Sequence, residues 1–244
     1  MKLFLMKVGS ARLPRSTSSE VVPVPAYLIE TDTGEHILID TGFSKRVIGA
    51  YHQAPDLSHM MDASDYVVNQ LATLGLAPQD IRTVICTHFD PDHAGNLADF
   101  PQATIVVQRR LYQAAITGEV ARFGRTQDQW SAPGLRFLLV DGDTTLMPGI
   151  TLVESSGHAP GHQSVLVQLP ETGPVLLTID AIPSYMDTDP ETRLVGPFDL
   201  DEKQLRASTR KLRMLEQTEG VALTVYGHDP EQWRDLRLFP DSYA

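Results

Sequence analysis

Short apolar runs separated by Gly and Pro turns recur along this chain, and three stretches read as helical instead. Residues 26–29 and 37–39, joined by Thr31-Asp32-Thr33-Gly34-Glu35, predict a β-hairpin. Further strands are predicted at 83–86, 104–107, 136–140, 144–147, 151–154, 164–169, 175–179 and 222–226. Helices are predicted over 64–74, closed by Gly75, from Arg109 onward, and over 201–216, where Leu205, Leu212 and Leu215 mark an apolar face. Residues 122–134 read as a polar connection, and 43–61, which includes Pro55, as an excursion over the surface. Long irregular segments of that kind serve more often as lids or binding loops than as inert connections.

Strands and helices thus fall into two blocks of similar order, which predicts an α/β fold of two packed sheets with helices outside. At 244 residues and 42% hydrophobic content the chain can fill one large core, and a single domain over 1–244 is expected. Thirty-one acidic against 20 basic residues leave a net charge of −11, which opposes gripping a nucleic-acid backbone. Arg206, Arg210, Lys211 and Arg213 recur at helical spacing and read as a solvated helix face. Cys86 is the only cysteine, so no disulfide forms within the chain, and its place in an apolar strand predicts burial as a small hydrophobe. The run from Met1 to Val8 is too short for a secretory segment, and no stretch approaches a membrane span. A cytoplasmic protein is expected, without nucleic-acid or membrane partners and with a homodimer left open.

Chemistry concentrates in Thr87-His88-Phe89-Asp90-Pro91-Asp92-His93, four metal-ligand side chains within six residues, directly after the strand at 83–86. His88 and Asp90, two apart, can reach one ion from the same side, while Asp92 and His93 follow a proline turn and can face a second. His158, Asp180 and His228 each follow a predicted strand as well. Together they give His88, Asp90 and His158 for one ion, Asp92, His93 and His228 for the other, and Asp180 as a bridge. Two divalent ions so held form a hydrolytic clamp; zinc leads, with iron, manganese or cobalt as alternatives. His162 reads as a residue that hydrogen-bonds the turn and orients ligands. His36, His52 and His59 read as surface or lid residues. Asp40 either orients a ligand imidazole or caps a turn.

The ordered series His88-x-Asp90-x-Asp92-His93, Gly157-His158-x-Pro160-Gly161-His162, Asp180 and Gly227-His228 resembles the metallo-β-lactamase superfamily, and within it the N-acyl-homoserine lactonases. The segments 157–164, 176–181 and 227–232 and the tail Arg237-Leu238-Phe239-Pro240 carry that likeness across nearly the whole chain. The resemblance implies an αββα sandwich with a dinuclear site at one edge and ring-opening of a lactone or related cyclic ester by a metal-bridging hydroxide. It also implies that Asp92 takes a proton and passes it to the departing oxygen. A family tyrosine that meets the substrate carbonyl lies three residues after the bridging Asp, where this chain has Pro183; Tyr185, two further on, is the candidate for that role. Phe43, Ile48, Tyr51, Met60 and Met61 either line an acyl pocket or simply pack a long loop.

One position departs from the pattern, with Asp90 where the family motif has His. Two divalent ions, a hydroxide and three carboxylates sum to zero charge, against +1 with a neutral imidazole in place of Asp90, which weakens polarisation of substrate and water. Flavo-diiron oxidoreductases of the same superfamily carry a carboxylate at this slot, so a di-iron redox enzyme is a second reading, although no flavodoxin-like extension is present. Thioester or ester hydrolysis is a third.

Overall fold

The protein, analysed as a computed structural model, is described over residues 1–12, 20–54 and 58–244. Among these residues twelve strands form two sheets. The first contains β1 (Lys2–Arg12), β2 (Val21–Glu30), β3 (His36–Ile39), β4 (His59–Met60), β5 (Ile81–Ile85), β6 (Thr104–Gln108) and β7 (Arg136–Val140), in the order β4-β1-β2-β3-β5-β6-β7. The second contains β8 (Thr144–Met147), β9 (Ile150–Glu154), β10 (Gln163–Leu169), β11 (Gly173–Ile179) and β12 (Leu223–Tyr226), in the order β12-β11-β10-β9-β8.

Three apolar layers hold this arrangement together. Leu5, Tyr27, Ile29, Ile39 and Ile85 from the first sheet meet Leu152, Val165, Val167, Leu177 and Val225 from the second. The outer face of the first sheet packs Val84, Ile105 and Val107 against Val67 and Leu71 of the helix Val67–Thr73 and Leu111 of the helix Arg109–Ile116. The outer face of the second packs Val153, Leu166 and Leu176 against Leu212 of the helix Glu202–Thr218. The layering is helix, sheet, sheet, helix, as expected, and burial of this much aliphatic surface is its main driving force.

Most predicted elements recur with boundaries moved by one or two residues, and the hairpin forms with Tyr27 opposite Ile39. The strand β1 is the main addition. Eight of its eleven residues are buried, in two blocks of four, so it lacks the alternation that marks a half-exposed strand. The connection at 122–134 contains the 3-10 helix Ala121–Thr126 and the short helix Gln127–Trp130. The excursion at 43–61 carries β4, which pairs with the edge of β1 through Ser10 and Met60, while 55–57 lie outside the described residues. Phe43 of that excursion packs on the apolar layer outside the first sheet, its ring tilted against that of His59 with centroids 5.6 Å apart. No helix among the described residues is long and apolar enough to cross a membrane.

Candidate metal centre

Parallel pairing of β3 with β5 and of β11 with β12 brings several strand ends to one edge of the sandwich. Asp40 follows β3, the loop His88 to His93 follows β5, Asp180 follows β11, and His228 lies two residues past β12. His158 arrives on the turn between β9 and β10. Chain reversals beyond strand ends leave side chains free of the ladder, so functional groups gather there.

His88, His158 and Asp180 bring ligand atoms within 4.8 Å of one another, and Asp92, His93 and His228 do the same. Asp180 joins the two groups. Its Oδ2 lies 3.5 Å from His88 Nε2 and 3.2 Å from His158 Nε2, and its Oδ1 lies 3.4 Å from His93 Nε2 and 2.9 Å from His228 Nε2. Asp92 Oδ2 stands 3.7 Å from His93 Nε2 and 3.9 Å from His228 Nε2. Asp90 Oδ2 faces the first group, 3.4 Å from His88 Nε2 and 3.1 Å from His158 Nε2. The structure therefore brings together all seven residues picked out as metal ligands in the sequence.

Each imidazole is oriented through its far nitrogen. His93 Nδ1 pairs with Asp40 Oδ2 at 2.8 Å, His158 Nδ1 with Asp199 Oδ1 at 2.9 Å, and His228 Nδ1 with the Pro23 carbonyl at 2.8 Å. His88 Nδ1 lies 3.0 Å from Thr87 Oγ1, whose own proton goes to Asp40 at 2.7 Å. All four rings thereby turn Nε2 inward, the arrangement that holds a metal-ligand histidine in one tautomer. Asp40 resolves as an orienting group, in the left-handed region at φ 59°. His162 matches its predicted role: Nδ1 meets Ser155 Oγ at 2.9 Å and Nε2 accepts from the Asp180 backbone N–H at 3.3 Å. Burial and the neighbouring His88 push its pKa well down, which keeps it the neutral acceptor this requires.

The donor set suits divalent cations. His88 Nε2, His93 Nε2 and Asp180 Oδ1 are buried without a hydrogen-bond partner of normal geometry, an expensive state for polar atoms unless a further ligand satisfies them. Burial opposes charge on His93, but Asp180, Asp92 and Asp40 outweigh it and push its pKa up to about 10. His158 is likewise driven to about 10 against burial, by Asp180, Asp199 and Asp90. Burial and His93 lower the pKa of His88. The Asp180 carboxyl is held well below its usual range, since His228, His93 and His158 overcome the cost of burying it. Neutral imidazole and carboxylate donors fit zinc and neighbouring first-row metals.

The remaining sequence candidates lie outside these two ligand groups. Tyr185 begins the 3-10 helix Tyr185–Asp187, two-thirds exposed, with its ring 6.2 Å from that of Tyr226 and its N–H bonded to Asp229 at 2.8 Å. His52 pairs with Asp62 at 3.2 Å, His36 sits in β3, and the Cys86 thiol, buried and protonated, donates to the His88 carbonyl at 3.1 Å. Arg206, Arg210, Lys211 and Arg213 pair with Glu202, Glu191, Asp143 and Glu216, as a solvated face would. Three functional contacts carried no sequence signal: Asp199 on His158, the Pro23 carbonyl on His228, and Arg122, whose Nε reaches Asp90 Oδ1 at 2.6 Å and Oδ2 at 2.8 Å.

Layers of this kind, with imidazoles and carboxylates gathered at one sheet edge, are those of the αββα metal-dependent enzymes. The chain belongs to the metallo-beta-lactamase superfamily, whose family profile matches residues 19–228. It is 39% identical to the N-acyl homoserine lactonase AttM of Azorhizobium caulinodans, over 97% of this chain and 94% of that protein. It is 31% identical to the N-acyl homoserine lactonase AiiA of Bacillus thuringiensis subsp. kurstaki, over 98% of both. Among solved structures, an N-acyl homoserine lactone hydrolase with the product N-hexanoyl-L-homoserine at its catalytic metal centre superposes with a TM-score of 0.86 at 28% identity, covering 99% of this chain and 98% of that one.

Proposed function

We propose that this enzyme hydrolyses the ring ester of an N-acyl homoserine lactone or a related lactone, as a single domain with two divalent metal ions, zinc foremost. His88, Asp90 and His158 would hold one ion, Asp92, His93 and His228 the other, and Asp180 both. The observation that carries this reading is the divided bite of Asp180, one oxygen toward each histidine group. When bound, such a pair supplies an acidified water and polarises the ester carbonyl. Water oxygen then joins the carbonyl carbon, the ring C–O bond breaks, and the departing oxygen needs a proton. Asp92 would make that transfer, and its exposure of 22%, the highest of the ligand carboxylates, supports the role. Tyr185, exposed on the 3-10 helix after Asp180, would be the residue that meets the substrate carbonyl. Phe198 and Leu200 flank the His158 partner Asp199 and are about half exposed, which supports an acylated substrate.

The test is metal content of the purified protein beside hydrolysis of acyl-homoserine lactones, other lactones, esters and thioesters. Two equivalents of metal with lactone turnover are expected. In that assay Asp92→Asn should retain metal and lose about 10²–10⁴-fold in kcat. Iron with reductant-dependent oxygen uptake and no hydrolysis would replace this reading with a redox one.

A further inference from the structure

Asp90 presents an electrostatic problem that the fold answers from an unexpected place. Its carboxylate is 8% exposed and points between two ligand imidazoles, where a third anion would cancel the charge of the centre. Arg122, 16% exposed, lies against both of its oxygens, and Arg122 Nη2 donates at 3.0 Å to the backbone carbonyl of His158, itself one of the two imidazoles. The short 3-10 helix that carries Arg122 is fastened to the metal loop a second time, through Thr126 Oγ1 donating to the Phe89 carbonyl at 2.6 Å. The Arg122 guanidinium carbon also lies over the Phe123 ring, 5.8 Å from its centroid, within cation–π range.

We propose that Arg122 is a positioning and charge-balancing residue of the metal centre, making Asp90 and itself a neutral pair that faces the first ion with an oxygen donor. The inference rests on the metal-centre reading above. An arginine suits the task because it stays charged and its planar fork addresses the carboxylate and the carbonyl together. With the pair counted as one unit, the centre regains the +1 that a neutral imidazole would give, and the carboxylate no longer weakens its pull on substrate electrons.

A thermodynamic cycle tests this, read as zinc stoichiometry by elemental analysis and zinc affinity by chelator competition. Wild type is expected to hold two equivalents. Asp90→His leaves Arg122 unbalanced beside the first ion and should weaken its binding about 10–100-fold, the usual scale for outer partners of a metal site. Adding Arg122→Met in that background should restore the affinity. Arg122→Met alone should keep both ions while lowering lactone turnover, and Arg122→Lys should recover part of that loss. Asp90→Asn, which keeps the side-chain shape, repeats the charge change if the histidine variant does not fold. Two equivalents in wild type with strictly additive effects of the two substitutions would overturn this inference alone. Wild type that takes up no zinc would overturn the metal-centre reading and this inference with it.

Discussion

His93 and His158 are stabilised as cations by surrounding carboxylates, with pKa values near 10, yet a metal ion needs them neutral. Ion and proton therefore compete for the same Nε2 atoms. Metal uptake at pH 8 should expel protons, measurable as a buffer-dependent heat in calorimetry, and apparent affinity should rise as pH climbs from 7 toward 10. The stability sign in the metal-free state runs the other way. A raised histidine pKa favours the fold fully below about 6.5, its ordinary value, and that contribution fades as pH rises toward 10. Uptake without proton release would contradict this picture. At this scale the sequence was informative about ligands and nearly silent about their supports. His88, Asp90, Asp92 and His93 share one short loop, whereas Asp199 is 41 residues from His158, Arg122 is 32 from Asp90, and the Pro23 carbonyl is 205 from His228. A buried carboxylate demands a cation, but spacing alone does not say which arginine the fold will deliver.

One element ends in a strained conformation, and a second approaches it closely, at the point where both deliver ligands. Ile179, the last residue of β11, has φ 53°, a conformation a β-branched side chain strongly resists, immediately before Asp180. Gly227, immediately before His228, approaches it so closely that a Cβ would lie 2.7 Å from the Ile179 carbonyl oxygen. Gly227→Ala should therefore push two ligand-bearing strand ends apart. It is expected to cost about 1–3 kcal/mol in denaturant unfolding and to lower metal content, because overpacking shifts backbone. A fully loaded, equally stable alanine variant would show that the approach is dispensable. The elements themselves were legible, since Gly and Pro turns bound the apolar runs of β9, β10 and β11 and the helix Glu202–Thr218 has a clear apolar face. It missed β1, whose burial removes the period of two, and the 3-10 helix bearing Arg122, too short for a helical period to register.

For the molecule as a whole, ligands drawn from both sheets mean that bound metal joins one half of the sandwich to the other. Metal at about a hundred times its Kd adds about 2.7 kcal/mol per site. For a chain of this size each kcal/mol raises Tm by roughly 2–4 °C. Stripping metal with a chelator should thus lower Tm by roughly 5–10 °C per site, recovered on adding zinc; an unchanged melt would argue that the ions do not couple the sheets. The two-block order of strands made the layering legible in advance, while the relative placement of the sheets depends on side chains that no local pattern reveals. Gln163 is one of these. From β10 of the second sheet its amide donates to the Cys86 carbonyl at 2.9 Å and the Val106 carbonyl at 3.2 Å in the first, while its own N–H reaches Thr87 at 3.2 Å. That amide works like a dowel between two boards, and alignment at the catalytic rim is inherited from it. Sequence drift in the inter-sheet interior is then constrained by chemistry as well as by folding, since a slip too small to unfold the protein would still change which ions it keeps.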